Sequence, residues 1–194
     1  DGSAVFALAN RKRGAETKPP YDGTPQVWRI PLPSGEPEAV TRVVGGVVLY
    51  DLAPAADALF YTTDATATDA DDFTKLREKY PKPQYGSGSR TVSEVHRLDL
   101  RTWRTEKVMA EGRYVRELAA TLDGKRVAMI TAADDTVIRS EGGSRVDVWD
   151  AADGKVTPTD DSWTKTAASP YPWLDSLAWN PDGDRLAYCT IFDG

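Results

Sequence analysis

Leu118-Ala-Ala-Thr-Leu-Asp-Gly-Lys-Arg-Val-Ala-Met-Ile-Thr131 returns, with changes, as Leu177-Ala-Trp-Asn-Pro-Asp-Gly-Asp-Arg-Leu-Ala-Tyr-Cys-Thr190. Each copy outlines a hairpin. Apolar residues lead into Asp-Gly, where the Asp side chain can bond nearby backbone and Gly accepts a positive φ. β-prone residues follow, which completes a strand–turn–strand signal. A degenerate copy runs from Tyr50 to Thr63, and the chain opens on Asp1-Gly-Ser-Ala-Val-Phe-Ala-Leu-Ala9 inside a fourth. In the degenerate copy Ala56 replaces the glycine, so that turn is expected to avoid a positive φ there.

A second phrase follows each hairpin: Gln26-Val-Trp-Arg-Ile-Pro-Leu32, Glu94-Val-His-Arg-Leu-Asp-Leu100 and Arg145-Val-Asp-Val-Trp-Asp150. Val27 and Arg29 alternate with Trp28 and Ile30, and Val95 and Arg97 with His96 and Leu98. Period two predicts a strand with unlike faces. Each phrase enters a turn (Pro33-Ser-Gly35, Arg101-Thr-Trp103, Ala152-Asp-Gly154) and a short β-prone exit. A unit therefore holds about four short strands, the pattern of a β-propeller blade.

The expected fold class is all-β: a partial propeller of about three to four blades of four-stranded antiparallel sheet. Units are expected over 1–41, 42–108, 109–159 and 160–194. The turn positions Asp1, Ala55, Asp123 and Asp182 lie farther apart than the roughly 40–50 residues of a plain blade. The surplus falls in insertions. Residues 11–24, rich in Lys, Arg, Pro and Gly, are expected as an exposed loop. A helix is expected near 69–80: Asp69 or Asp71 can cap it, Phe73, Leu76 and Tyr80 share a face, and Pro81 stops it. Residues 84–90 are expected as a Gly/Ser loop. A closed ring takes typically 4–8 blades, so the chain is expected to be a piece of a longer propeller.

The chain has 194 residues, with 24 Lys and Arg against 30 Asp and Glu, a formal charge of −6. That argues against a nucleic-acid partner, which needs clustered cations. No apolar run approaches the roughly 18 residues that span a bilayer, so no membrane partner is expected. No signal-peptide pattern opens the chain, which favours a cytoplasmic over a periplasmic setting. The one cysteine, Cys189, excludes an internal disulfide framework and a Cys-based zinc knuckle.

Chemistry-bearing patterns are sparse. Gly-x-Ser-x-Gly, the nucleophile elbow, is absent, and Gly86-Ser-Gly-Ser89 has the wrong spacing. The only histidine, His96, sits in an alternating strand without a Ser and Asp in the same pattern. Cys189 is expected as a small core residue. Asp71-Asp72, Asp134-Asp135 and Asp160-Asp161 lack the spacing of a calcium loop. No catalytic residue, cofactor or metal is therefore expected. Trp28, Trp149 and Trp179 fall in the repeat phrases and are expected between sheets, while Trp103 falls near a turn. The candidate substrate contacts are Arg113, Tyr114 and Arg116, with Tyr171 and Trp173 in the Pro/aromatic stretch before a strand.

The Pro-Asp-Gly-Asp-Arg-Leu-Ala-Tyr and Leu-Asp-Gly-Lys-Arg-Val-Ala-Met phrases resemble the repeat shared by two groups. One is the propeller domain of the prolyl oligopeptidase family of serine peptidases, with its dipeptidyl peptidase IV and acylaminoacyl peptidase branches. The other is the propeller of the periplasmic Tol system. Lys-Leu-Arg-Glu-Lys-Tyr80, Leu-Asp-Leu-Arg-Thr-Trp-Arg-Thr-Glu-Lys107 and Ser144-Arg-Val-Asp-Val-Trp-Asp-Ala151 resemble bacterial members of the peptidase group. That resemblance implies a non-catalytic N-terminal propeller that restricts access to the active site of a C-terminal α/β-hydrolase domain in the same parent chain, with peptides as substrates. The adjacent glutamate pair by which dipeptidyl peptidase IV branches hold a substrate amine has no match here. The Tol resemblance implies instead a stand-alone protein-binding module. A sugar-cleaving or lyase-type propeller would call for clustered histidines or metal ligands, which one histidine does not provide.

Overall fold

A computed structural model describes residues 2–68, 79–80, 89–133, 135, 144–159 and 174–190. Among them nearly every regular element is a strand. In chain order these are β1 (Ala4–Lys12), β2 (Asp22–Pro31), β3 (Glu38–Ala39), β4 (Tyr50–Ala53), β5 (Ala58–Thr68), β6 (Ser89–Asp99) and β7 (Thr105–Met109). Then follow β8 (Tyr114–Ala120), β9 (Arg126–Ala132), β10 (Arg145–Asp150), β11 (Lys155–Pro158), β12 (Leu174–Trp179) and β13 (Leu186–Thr190). They form four antiparallel sheets of sequential neighbours: β1-β2-β3, β4-β5-β6-β7, β8-β9-β10-β11 and β12-β13. The helix expected near 69–80 lies outside the described residues but for its last two.

The hairpin phrases fold as their chemistry dictates. Gly124 and Gly183 take φ of +66° and +70° between β8 and β9 and between β12 and β13. In the degenerate copy Ala56 closes a short 3-10 turn, Pro54–Ala56, and the left-handed residue is Asp57, one place later, at φ +45°. The turn has moved its strain from an alanine to an aspartate, which tolerates that region better. One backbone bond recurs in three sheets. Leu32 N donates to Ser3 O at 2.8 Å, Leu100 N to Asp57 O at 2.7 Å and Ala151 N to Lys125 O at 2.8 Å. Each ties a hairpin turn to the next turn in its own sheet.

Three hydrophobic cores lie between successive sheets. Val27, Val40, Leu59, Tyr61 and Leu98 join the first and second. Ala58, Phe60, Val95, Val127, Met129 and Trp149 join the second and third. Ile130, Val146 and Leu174 join the third and fourth. Neighbouring residues of one strand thus feed different cores: Leu59 goes one way, Phe60 the other. This corrects the expectation of unlike faces. Gln26, Val27 and Trp28 are all buried, at 0%, 0% and 1% exposure: Val27 enters the core shared with the second sheet, Gln26 is bonded to Thr41 and Val43, and Trp28 is covered by Tyr21 and the Arg11 guanidinium.

Other expectations are corrected too. Residues 11–24 are not all loop: β1 extends through Lys12 and β2 begins at Asp22. Ser89 and Arg90 open β6 and are not loop; β5 and β6 stay paired out to Thr68 and Ser89. Cys189 is exposed rather than a core residue, since no described strand packs on its face of β13.

Candidate functional site: a charged rim at the start of β8

Antiparallel order places two kinds of connection at opposite ends of the sheets. The tight hairpin turns sit at one end. At the other, β5, β9 and β10 end or begin on long connections, and β8 starts. Arg113 precedes β8, and its side chain turns back onto β9. Its Nε donates to Thr131 Oγ1 at 2.8 Å and an Nη donates to Thr131 O at 3.3 Å. Thr131 Oγ1 in turn donates to Asp147 Oδ2 at 2.6 Å. Asp147, on β10, is 1% exposed. Arg145 Nε lies 2.8 Å from its Oδ1, and Arg113 Nε lies 3.9 Å from Oδ2. A buried carboxylate alone would be costly; here two guanidiniums compensate its charge and Oδ2 accepts from Thr131 and Arg145, while Oδ1 accepts no hydrogen bond among the described residues. Arg90, at the start of β6, donates to Gly112 O at 2.8 Å and also to Ala133 O.

On the neighbouring positions Tyr114 and Arg116 face two further acids. Burial, with Asp64 and Asp135 adding, raises the Tyr114 phenol, and Arg116 opposes. Burial, with Asp135 adding, raises Asp64. Burial lowers the Arg113 guanidinium, reinforced by the cations of Arg145 and Arg90 and opposed by Asp147. The pairing of β8 with β9 slips between Val115 and Glu117. Arg116 therefore stands at a bulge, the device that re-aims a side chain out of a sheet; its Nη reaches Ser144 Oγ at 3.4 Å.

The structure thus places Arg113, Tyr114 and Arg116 at one rim, with Arg90, Arg145, Asp64, Asp135 and Asp147. Tyr171 and Trp173 lie outside the described residues, as do Asp71, Asp72, Asp134, Asp160 and Asp161. The sequence reading missed Asp147 and Arg145. The available signal was an acid two residues before Trp149, on the strand face that alternation gives to that tryptophan. It missed Arg90 by assigning it to a loop.

The rim offers groups of both signs and a phenol, and among the described residues no nucleophile there is held by a base. His96 does not supply one. Its Nε2 lies 3.3 Å from Thr63 Oγ1 and 3.5 Å from Glu94 Oε2. A triad needs hydroxyl and carboxylate on opposite ring nitrogens, whereas here both crowd one. The ring stacks on Tyr61 at 5.1 Å, and burial lowers its pKa against the opposing charge of Glu94. Among the described residues no three His, Cys, Asp or Glu side chains are grouped to hold a metal ion.

No protein-family description matches the chain, and no curated protein matches it. Solved structures do. TolB from Acinetobacter baumannii superposes with a TM-score of 0.57 at 16% identity, covering 98% of this chain and 37% of that one. A putative TolB from Agrobacterium tumefaciens gives 0.53 at 12% identity, over 81% and 45%. The tricorn protease gives 0.55 at 11% identity, over 98% and 14%. At such identities the likeness is one of fold. The four stacked sheets are part of a β-propeller, and the chain spans less than half the length of each of these structures.

Proposed function

We propose that the chain is the non-catalytic propeller portion of a serine peptidase resembling the prolyl oligopeptidase family. It gates and selects peptides for an α/β-hydrolase domain outside these residues. The observation that carries this reading is the rim cluster around Arg113, Tyr114 and Arg116. An unfolded peptide presents a carboxylate, an ammonium and free backbone groups. Guanidiniums bind the first with charge-assisted geometry, Asp64 and Asp135 suit the second, and the Tyr114 hydroxyl suits the third. Tyr171 and Trp173, which precede β12 in the chain, complete the proposed contacts. A rigid ring admits an extended chain and excludes a folded one. The resemblance of the blocks ending at Tyr80, Lys107 and Ala151 supports the peptidase assignment.

The test is the parent gene and its product. A Gly-x-Ser-x-Gly elbow followed by Asp and His downstream of Gly194 is expected. In that parent enzyme Arg116→Ala should raise KM for short peptides about tenfold and leave kcat nearly unchanged, since it removes binding and not chemistry. Unchanged KM, or turnover of chromogenic dipeptides by this chain alone, would sink the proposal. A second reading, a stand-alone protein-binding propeller, is favoured by the likeness to the two TolB structures. It predicts no hydrolase elbow in the gene and capture of a specific envelope partner.

A further inference from the structure

The turn between β6 and β7 carries a residue that its backbone disfavours. Trp103 has φ +58°. Its N–H donates to Asp99 O at 2.8 Å, as Gly154 N–H donates to Asp150 O at 2.9 Å in the same turn of the third sheet. Gly154 has φ +69°. The third sheet's turn thus uses glycine, and the second sheet's holds a tryptophan in a conformation that glycine adopts freely and L side chains do not. Burial does not offset this, because Trp103 is 54% exposed. A strained, exposed aromatic points toward function.

The ring forms one wall of a shallow crevice of about 480 Å³ at the outer junction of the first and second sheets, with Pro20, Tyr21, Pro37, Glu38 and Arg42. Its opposite wall is held in place. Tyr21 carries the Arg13 guanidinium 4.0 Å from its ring centroid and lies 5.6 Å from the Trp28 ring. The Trp103 indole N–H makes no hydrogen bond among the described residues. Glu38 is engaged by Arg29 at 3.7 Å, while Arg42 is exposed and makes no ion pair among the described residues.

We propose that this crevice docks an extended, proline-bearing peptide segment with a carboxylate beside its prolines. Such a segment is pre-ordered as a polyproline helix with its carbonyls unbonded, and shallow grooves with aromatic walls are what recognise it. Its rings pack against Trp103, Tyr21 and the two lining prolines, one carbonyl accepts from the indole, and Arg42 receives the carboxylate. An oligosaccharide fits less well, since Glu38 already serves Arg29 and few side chains remain for hydroxyls. The site lies wholly between two sheets of this chain and does not depend on the gating reading.

The test follows the Trp103 indole N–H resonance in the isotope-labelled full chain, assigned by its loss in Trp103→Gly. The probes are an aspartate-flanked decaproline, a Gly/Ser peptide of equal length and maltoheptaose. A saturable shift with decaproline only is expected, with affinity, read in both proteins by isothermal titration calorimetry, at least about tenfold weaker in Trp103→Gly and the urea midpoint of that variant raised. No shift, an equal shift with the Gly/Ser peptide, or a shift with maltoheptaose alone would overturn the proposal. So would a lowered midpoint in both Trp103→Gly and Trp103→Asn, which would make Trp103 a packing residue.

Discussion

Aspartates do much of the folding work at the turns, and each acts through its own side chain. Asp123 accepts from Thr121 Oγ1 at 2.8 Å and from Lys125 N at 3.1 Å. These bonds, with Lys125 near, hold its carboxyl at about 2 instead of 3.8. Asp99 and Asp150 are lowered by the same kind of backbone bond, to Thr102 and Ala152. A carboxyl depressed by folding contributes stability above its unfolded pKa and loses it as pH falls through its folded value. The contribution of Asp123 is therefore complete above about 4 and gone near 2. Asp123→Asn should flatten the acid limb of the stability profile over that window, followed by circular dichroism in urea. An unchanged limb would show that the turn bonds do not depend on the charge. Asp51 and Asp64 act oppositely, because burial raises both and protonation relieves them.

Glycine substitutions separate conformation from contact. Gly124 and Gly154 share a left-handed φ, but an added Cβ at Gly124 would lie 3.1 Å from Ala56 Cβ and 3.3 Å from Ala53 Cβ, whereas at Gly154 it meets nothing within 4 Å. Gly154→Ala should cost about 1 kcal/mol, the left-handed penalty alone. Gly124→Ala should cost about 1–2 kcal/mol more, since overpacking adds to it. Urea unfolding checks the order, and equal losses would mean the second sheet's turn yields without resistance.

At the scale of elements, the sheets are joined by polar bonds as well as by apolar cores. Glu117 on β8 accepts from Ser176 N at 2.9 Å and from Leu177 N at 2.6 Å, both on β12. Trp179 Nε1 donates back to Ala119 O at 3.0 Å. On the other side Asp51 accepts from Ala120 N at 2.7 Å, and Tyr50 donates to Phe6 O at 3.0 Å. Gln26, fully buried, spends both ends of its amide on Thr24, Thr41 and Val43. Glu117→Ala leaves two backbone donors without partners and should cost about 1–3 kcal/mol. Hydrogen exchange should accelerate at Ser176 and Leu177 first; acceleration confined to β8 would contradict the seam.

Among the described residues the sheets form a stack in which each packs mainly on its neighbours, so stability is approximately a sum of sheet and interface contributions. Phe60 shows what this implies. It is fully buried, packs against Trp149 of the next sheet at 5.9 Å, and belongs to the core between the second and third sheets. Phe60→Ala should cost about 3–5 kcal/mol. The loss should appear as weakened exchange protection in β4–β11, with β1 and β2 the least affected. Uniform loss over all sheets would point to a single cooperative core.

What could be read in advance followed from rules that act within a few residues. Asp-Gly bends, their alternating flanks and their recurrence announced successive antiparallel sheets, and even the turn at Arg101-Thr-Trp103 was legible beside Ala152-Asp-Gly154. The rim was legible only in part. Arg113, Tyr114 and Arg116 stood out in the chain, but Asp147, Arg145, Arg90 and Asp64 come from other strands and no local spacing links them. By itself the chain determined strand, turn and repeat, because backbone conformation at Gly, Asp and β-branched residues is decided by near neighbours. Tertiary structure decided which faces are buried, that Cys189 is exposed, and which charges meet at the start of β8. Those depend on sheets stacking across distances of many tens of residues, and burial and electrostatics are properties of that stacking rather than of any one segment.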